Sequence, residues 1–226
     1  MGISGFSAAQ IGPNPQPGYY RTNSPVLGIS AGGSRVDTVG VFPSTEVEVR
    51  TRGEGMSFGP ARFGRNLSYG VLGNDVLVGT ADRLEVDIYT PQGRLARRIR
   101  APDVSNDLTP EMESTYRDRL RETFAGLPPE QRIVAQRSAA SIDFPSKLPA
   151  YSAVYVDACA NIWVAEYPLV PGPAQRFLVF GRHGGFISVV EVPRGFRLLT
   201  ITDGEVWGYA TNDLGVERVV GYRLMK

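Results

Sequence analysis

The side chains able to do chemistry in this chain are few and scattered. Among 226 residues there is one cysteine, Cys159, and one histidine, His183. A single cysteine excludes an internal disulfide and any multi-cysteine metal site, and a single histidine excludes histidine-rich ones. A Cys-His nucleophile pair would need the two side by side, but each falls in a turn of its own, Cys159 in YVDACANIWVAEY and His183 in GRHGG. The cysteine reads as a small neutral turn residue, and the histidine as the tip of an outer hairpin, away from any axis where loops converge. The remaining candidates are carboxylates. Asp82, Glu166 and Asp213 each follow a compact apolar run, VLVGT, IWVA or VWGYA, which places them in loops at one end of the strands. Carboxylates there could hold Ca²⁺ or act as acid and base, although loop carboxylates are commonly just solvated. Glu166, Tyr167 and Asp213 are the candidate ligand-binding residues, and no cofactor other than such a Ca²⁺ ion is suggested.

The elements that must position these groups are short strands. Gly and Pro number 26 and 17, and they punctuate segments rich in Val, Ile, Leu, Tyr and Phe, as in antiparallel all-β proteins. Three segments, LSYGVLGNDVLVGTAD (Leu67 to Asp82), YSAVYVDACANIWVAEY (Tyr151 to Tyr167) and FRLLTITDGEVWGYATND (Phe196 to Asp213), repeat one pattern of two apolar runs about a turn. Asn74, Asn161 and Gly204 supply the positive φ these reversals need, and Asp157 and Asp203 can bond local backbone. Asp157 and Asn161 therefore shape the second turn. Trp163 and Trp207 stand at equivalent places just after the turns, with Tyr167 and Tyr209 a few residues on. Such a set could stack a sugar or a peptide, but aromatics recurring at strand spacing more commonly pack sheet against sheet.

A second pattern follows the first. SPVLGISAGGSRVDTVGVFP (Ser24 to Pro43), LEVDIYTPQGRLARRIRAP (Leu84 to Pro102) and QRFLVFGRHGGFISVVEVP (Gln175 to Pro193) are outer hairpins whose turns carry Gly33, Gly93 and Gly184 and whose second strands end at proline. Inner plus outer hairpin makes a four-stranded antiparallel unit of ~40 to 45 residues, the sequence signature of a β-propeller blade. The expected architecture is an all-β, partial β-propeller of about three to four such blades with a two-helix insertion. Its parts are a partial blade at 18–44, a linker hairpin at 45–65, blades at 66–102 and 148–193, a helical insert at 108–143 and an incomplete last blade at 194–226. In the insert Thr109 is the N-cap, Pro110 opens the helix, Met112, Tyr116, Leu120 and Phe124 share one face, and Gly126 with Pro128 ends it. A second helix runs from Pro129 to about Ala140. Across the two helices Arg117, Arg119, Arg121, Arg132 and Arg137 are interleaved with Glu111, Glu113, Asp118, Glu122 and Glu130, as on a solvated helix face.

The formal net charge is +1, and Lys147 and Lys226 are the only lysines, so no polycationic segment points to nucleic acid or an anionic membrane. No apolar run approaches the length of a membrane span, and MGISGFSAAQIGPNPQPGYY lacks the basic start and apolar core of a secretory signal. Gly53 to Gly59 is glycine-rich but follows no parallel strand and opens no helix, so it is no phosphate loop; nucleophile elbows and zinc patterns are missing too.

Asp82 to Pro102, the helical insert, LPAYSAVYVDACANIWVAEY (Leu148 to Tyr167), Arg176 to Ile201 and the final VERVVGYRLMK occur in an order that resembles the C-terminal half of the uncharacterised bacterial six-bladed β-propeller proteins related to the NHL and TolB-like propellers. The resemblance covers most of Gly59 to Lys226. The group's inner turn reads Asp-Pro-Glu-Gly-Asn where this chain has Asp157-Ala158-Cys159-Ala160-Asn161. A six-bladed ring needs more chain than this, so the resemblance implies either the C-terminal part of a longer propeller, often an exported protein, or a half-ring that pairs with a second copy as a homodimer. Propellers host hydrolases, lyases, redox enzymes and scaffolds. With no convergent catalytic set, the expectation is a non-enzymatic module that recognises a protein, peptide or glycan through its loop face. The alternative is a hydrolase similar to the gluconolactonase propellers, with a metal held by axial carboxylates and an asparagine.

Overall fold

Apolar residues alternating between Gly, Asn and Asp turns give antiparallel pairs throughout. The structure, a computed structural model, describes residues 2–3, 11–30, 32–52, 55–101, 105–169, 174–193, 195–212 and 215–225. Sheet I comprises β1 (Gly2–Ile3), β3 (Asn23–Ile29) and β4 (Val36–Pro43), and sheet II comprises β2 (Gly18–Tyr20), β5 (Val47–Arg52) and β6 (Gly55–Pro60). Sheet III is a four-stranded meander of β7 (Ser68–Leu72), β8 (Asp75–Gly79), β9 (Glu85–Tyr89) and β10 (Leu95–Arg100). Sheet IV repeats it with β11 (Ala153–Val156), β12 (Ile162–Ala165), β13 (Ala174–Phe180) and β14 (Phe186–Pro193). Sheet V has three strands, β15 (Phe196–Ile201), β16 (Glu205–Thr211) and β17 (Glu217–Arg223). Two helices, α1 (Pro110–Ala125) and α2 (Pro129–Ala140), separate sheets III and IV. Neither is long and apolar enough to cross a membrane.

Sheets I, III, IV and V stack face to face in chain order, and the alternation of each second strand shows why. In β8, Val76 and Val78 pack with Val26 and Val39 of sheet I, while Leu77 between them packs with Val154, Ile162 and Val164 of sheet IV. In β12, Ile162 and Val164 face back to sheet III, and Trp163 and Ala165 face forward to Phe196, Ile201 and Val206 of sheet V. Period-two side-chain direction thus serves two core layers from one strand. Each buried aliphatic in these layers stabilises the stack by about 1.5–3 kcal/mol. The first strands β7, β11 and β15 meet along one groove, lined by Tyr69, Val71, Tyr155 and Thr200 among others. The stack does not close into a ring.

The outer turns are built alike. Gly33, Gly93 and Gly184 all take positive φ, 69°, 81° and 92°, and each donates its backbone N–H three residues back, to Ser30, Thr90 and Gly181. Glycine is needed for a second reason at two of them. A Cβ on Gly93 would lie 2.5 Å from the Val39 carbonyl oxygen, and one on Gly184 would lie 3.2 Å from Ile99 Cγ1, so each turn sits tightly on the preceding sheet.

Two expectations change. Residues 18–44 do not form one unit: Gly18–Tyr20 pairs with β5 in sheet II, while Asn23–Ile29 pairs with β4 in sheet I. The crossing is pinned between them, where Ser44 N–H donates to Thr22 O at 2.7 Å and Arg21 Nε donates to Ser44 O at 2.8 Å. The left-handed residues of the first two inner turns are Gly73 and Ala160 rather than Asn74 and Asn161, at φ 64° in both cases. Asn161 is held out of that conformation because its backbone N–H and its Nδ2 both donate to the Asp157 carboxylate.

Candidate functional site

In a four-stranded meander the β8–β9 and β10–β11 connections leave from one end of the sheet and the tight hairpins from the other. Asp82 and Glu166 follow β8 and β12, and both insertions lie on connections at that same end. The two insertions meet there. Phe63, from the segment after β6, stacks on Phe144 with centroids 5.1 Å apart and meets Tyr116 of α1 edge-on at 5.5 Å. Phe63, Leu148 and Leu169 are buried in this cluster, with Leu108, Ile142 and Tyr167 packed against it. Arg117 lies over the Phe144 ring at 4.8 Å and donates from Nη1 to Ala139 O, which ties α1 to α2. The helices themselves bury little: Tyr116, Leu120 and Phe124 are half-buried, whereas Met112 is exposed. They form a cap over the end of the sheets.

Under the cap lie two clefts that share Leu148 as a wall. The first, of about 460 Å³, is bounded by Tyr19, Glu46, Phe63 and Arg65 on one side and Asn106, Asp143 and Phe144 on the other, with Asp82 between. Two of its carboxylates, Asp82 and Glu46, are matched by arginine. Asp82 Oδ1 accepts from Arg21 Nη1 and Arg65 Nη1, each at 2.7 Å, and Arg65 also pairs with Glu46. Burial would raise the Asp82 carboxyl, but the Thr80 hydrogen bond and the Arg21 and Arg65 guanidiniums outweigh it and hold the carboxyl below its ordinary value. Asp82 is accordingly a fixed anion and an unsuitable general acid.

The second cleft, of about 510 Å³, runs between the first turn of α1 and the β12–β13 loop. Met112, Leu148, Tyr167, Pro168 and Leu169 give it an apolar floor, and Glu111, Glu166, Glu191 and Arg176 stand around it. Arg176 is shared, its Nη1 3.1 Å from Glu166 Oε2 and its Nε 3.3 Å from Glu191 Oε1. One guanidinium against three carboxylates leaves the rim net negative. Tyr167 is less a free ligand group than a wall: its hydroxyl donates to Arg62 O at 3.3 Å, and burial pushes its pKa up to about 12, with Tyr116 adding to the shift. Asp213, the third carboxylate of the sequence pattern, lies outside the described residues.

The other singled-out residues sit elsewhere. Asp157 organises its turn, with Oδ1 accepting from the N–H groups of Cys159 and Asn161 and Oδ2 from Asn161 Nδ2 and Trp163 Nε1. Cys159 is exposed in that turn, and desolvation together with the Asp203 and Asp157 carboxylates pushes its thiol up, away from the reactive thiolate. His183 lies in the β13–β14 turn, also at the end opposite the cap. Trp163 is buried between sheets IV and V, but Trp207 is 39% exposed on the far face of sheet V. Among the described residues, no three His, Cys, Asp or Glu side chains converge as a metal site requires.

Sequence reasoning placed Asp82, Glu166 and Tyr167 at this end but missed Tyr19, Glu46, Phe63, Arg65 and Asp143. A signal was present: both insertions interrupt the repeat at the same joint, from the last strand of one unit to the first of the next, and equivalent joints leave a repeat from the same side. No protein-family model matches the chain, and comparison with the curated proteins finds no match.

Proposed function

We propose that the protein is a non-enzymatic binding module, an open run of β-propeller-type blades whose capped end recognises a protein or peptide segment carrying a basic residue next to apolar ones. The observation that carries the reading is the second cleft, an apolar trough rimmed by Glu111, Glu166 and Glu191 with Arg176 as the only basic residue lining it among the described residues. An apolar floor supplies affinity and a one-signed rim supplies orientation and selection against acidic segments. The propeller reading draws support from the face-to-face stacking in chain order and from β7, β11 and β15 meeting along one groove. A carboxylate-bound metal hydrolase has less support, because Asp82 and Glu166 line separate clefts and each is engaged by arginine.

The test is a peptide array and a glycan array probed with the intact protein. Enrichment of peptides with Arg or Lys flanked by aliphatic or aromatic residues supports the reading. Binding confined to glycans, or turnover of a lactone panel without peptide binding, contradicts it.

A further inference from the structure

The sheet stack has two unlike ends, and among the described residues no further sheet lies on either. The forward side of sheet IV presents Trp163, which is 2% exposed because sheet V covers it. At the equivalent place in sheet V, Val206 turns back into the layer with sheet IV, and Trp207 turns forward with Tyr209 beside Val219 of β17. Trp207 is 39% exposed and Val219 73%. At the other end, Val26 of sheet I faces sheet III, while Ile29, paired with Val36, and Val41 lie on the opposite face, all exposed. The turns tell the same story. Gly93 sits against Val39 of sheet I and Gly184 against Ile99 of sheet III, but no described residue lies within 4 Å of a Cβ on Gly33, the corresponding turn of sheet I.

Three consecutive interfaces, I on III, III on IV and IV on V, join the forward face of one sheet to the backward face of the next. The unfilled forward face of sheet V and the unfilled backward face of sheet I are therefore the two halves of a fourth interface of the same kind, held on one molecule at opposite ends. We infer that a second copy of this chain completes it: sheet I of each copy docks on sheet V of the other, so two head-to-tail contacts close a ring of two chains. A heterologous contact of this sort either closes or grows into a filament, and repeat stacks need their terminal faces covered. The inference rests on the sheet stack alone and is independent of the ligand reading.

Sedimentation equilibrium of the full chain between about 1 and 100 µM tests it, a span in which an interface of this kind associates. The wild type is expected to sediment at twice the chain mass. Trp207→Glu and Val41→Glu, one on each face, are each expected to be monomeric at the top of that range, with wild-type circular dichroism and cooperative unfolding showing that the exposed substitution leaves the fold intact. An equimolar mixture of the two variants retains one unaltered contact and should recover dimers, with at least 10-fold weaker association than wild type. A monomeric wild type overturns the inference. So does Val41→Glu that still dimerises, which means sheet V pairs with itself, or a mixture that stays monomeric, or open-ended polymers in place of dimers.

Discussion

The indole Nε1 of Trp163 donates to Asp157 Oδ2 at 3.0 Å, so the residue that shapes the inner turn of sheet IV also aims the ring that fills the layer against sheet V. The same carboxylate accepts from Asn161 Nδ2 and from the Cys159 and Asn161 N–H groups. Turn geometry and sheet packing are thereby one unit. Asp157→Ala strands these donors in a half-buried turn and is expected to cost about 2–3 kcal/mol. Urea unfolding measures it, and a loss below about 0.5 kcal/mol would show that water replaces the carboxylate.

Ala160, a residue with a Cβ, carries the left-handed backbone of that turn, φ 64°. An alanine there costs about 1 kcal/mol relative to glycine. Ala160→Gly is expected to stabilise by about 0.5–1 kcal/mol, whereas Cys159→Ser, whose side chain is exposed, should stay within about 0.5 kcal/mol of wild type. Thermal unfolding of both variants separates backbone strain from any role of the thiol.

Tyr151 locks sheet III to sheet IV. Its buried hydroxyl donates to Glu85 O at 3.0 Å and accepts from Ala81 N–H at 3.1 Å, and a Cβ on Gly79 would lie 2.4 Å from its oxygen. Burial pushes the phenol up to about 12. Since the folded state holds the proton more tightly than the unfolded chain, this contribution is intact below pH ~10 and lost as pH rises from there toward ~12. The alkaline loss is of order 2–3 kcal/mol. Tyr151→Phe should flatten that limb while destabilising the protein by about 1–3 kcal/mol at neutral pH through the orphaned Ala81 N–H. Gly79→Ala should destabilise at every pH. Unfolding curves of the two variants from pH 7 to 12 check both statements.

Asp82 works in the opposite direction. Its carboxyl is held below the ordinary value, so its contribution is present above the usual carboxylate range and fades as pH falls through the depressed pKa. The side chain is 37% exposed, and screening limits the effect to under about 1 kcal/mol. Asp82→Asn should lower stability slightly at neutral pH and shrink the difference as the solution is acidified. No difference between the variant and the wild type at neutral pH would mean that Arg21 and Arg65 are held by Ser44, Thr80 and Glu46 alone.

What was legible in the sequence was local. Gly33, Gly93 and Gly184 marked their turns because a single backbone angle decides such a turn, and Thr109 marked its helix because one hydroxyl, bonded to Met112 N–H at 3.3 Å, satisfies the first turn. Asn161 was misjudged as the left-handed residue because the Asp157 carboxylate, a side-chain effect, sets which residue turns. The capped clefts were not legible because their walls come from distant segments: Arg21 reaches Asp82 across 61 positions, and Tyr167 reaches Arg62 across 105. Trp163 and Trp207 look alike in sequence, yet sheet V buries Trp163, whereas among the described residues no sheet lies over Trp207.

The most direct measurement is a fluorescence-polarisation titration of the wild type and of Glu166→Gln/Glu191→Gln with a labelled nonapeptide of Leu, Val and Tyr around a central Arg. Both carboxylates are partly exposed partners of Arg176, so the double variant should fold as the wild type does. The expected result is saturable binding that weakens about 10-fold in the variant and is abolished when the peptide's Arg is replaced by Glu. Binding that is equal for wild type and variant, or equal for the Arg and Glu peptides, would contradict recognition of a basic segment at the capped end.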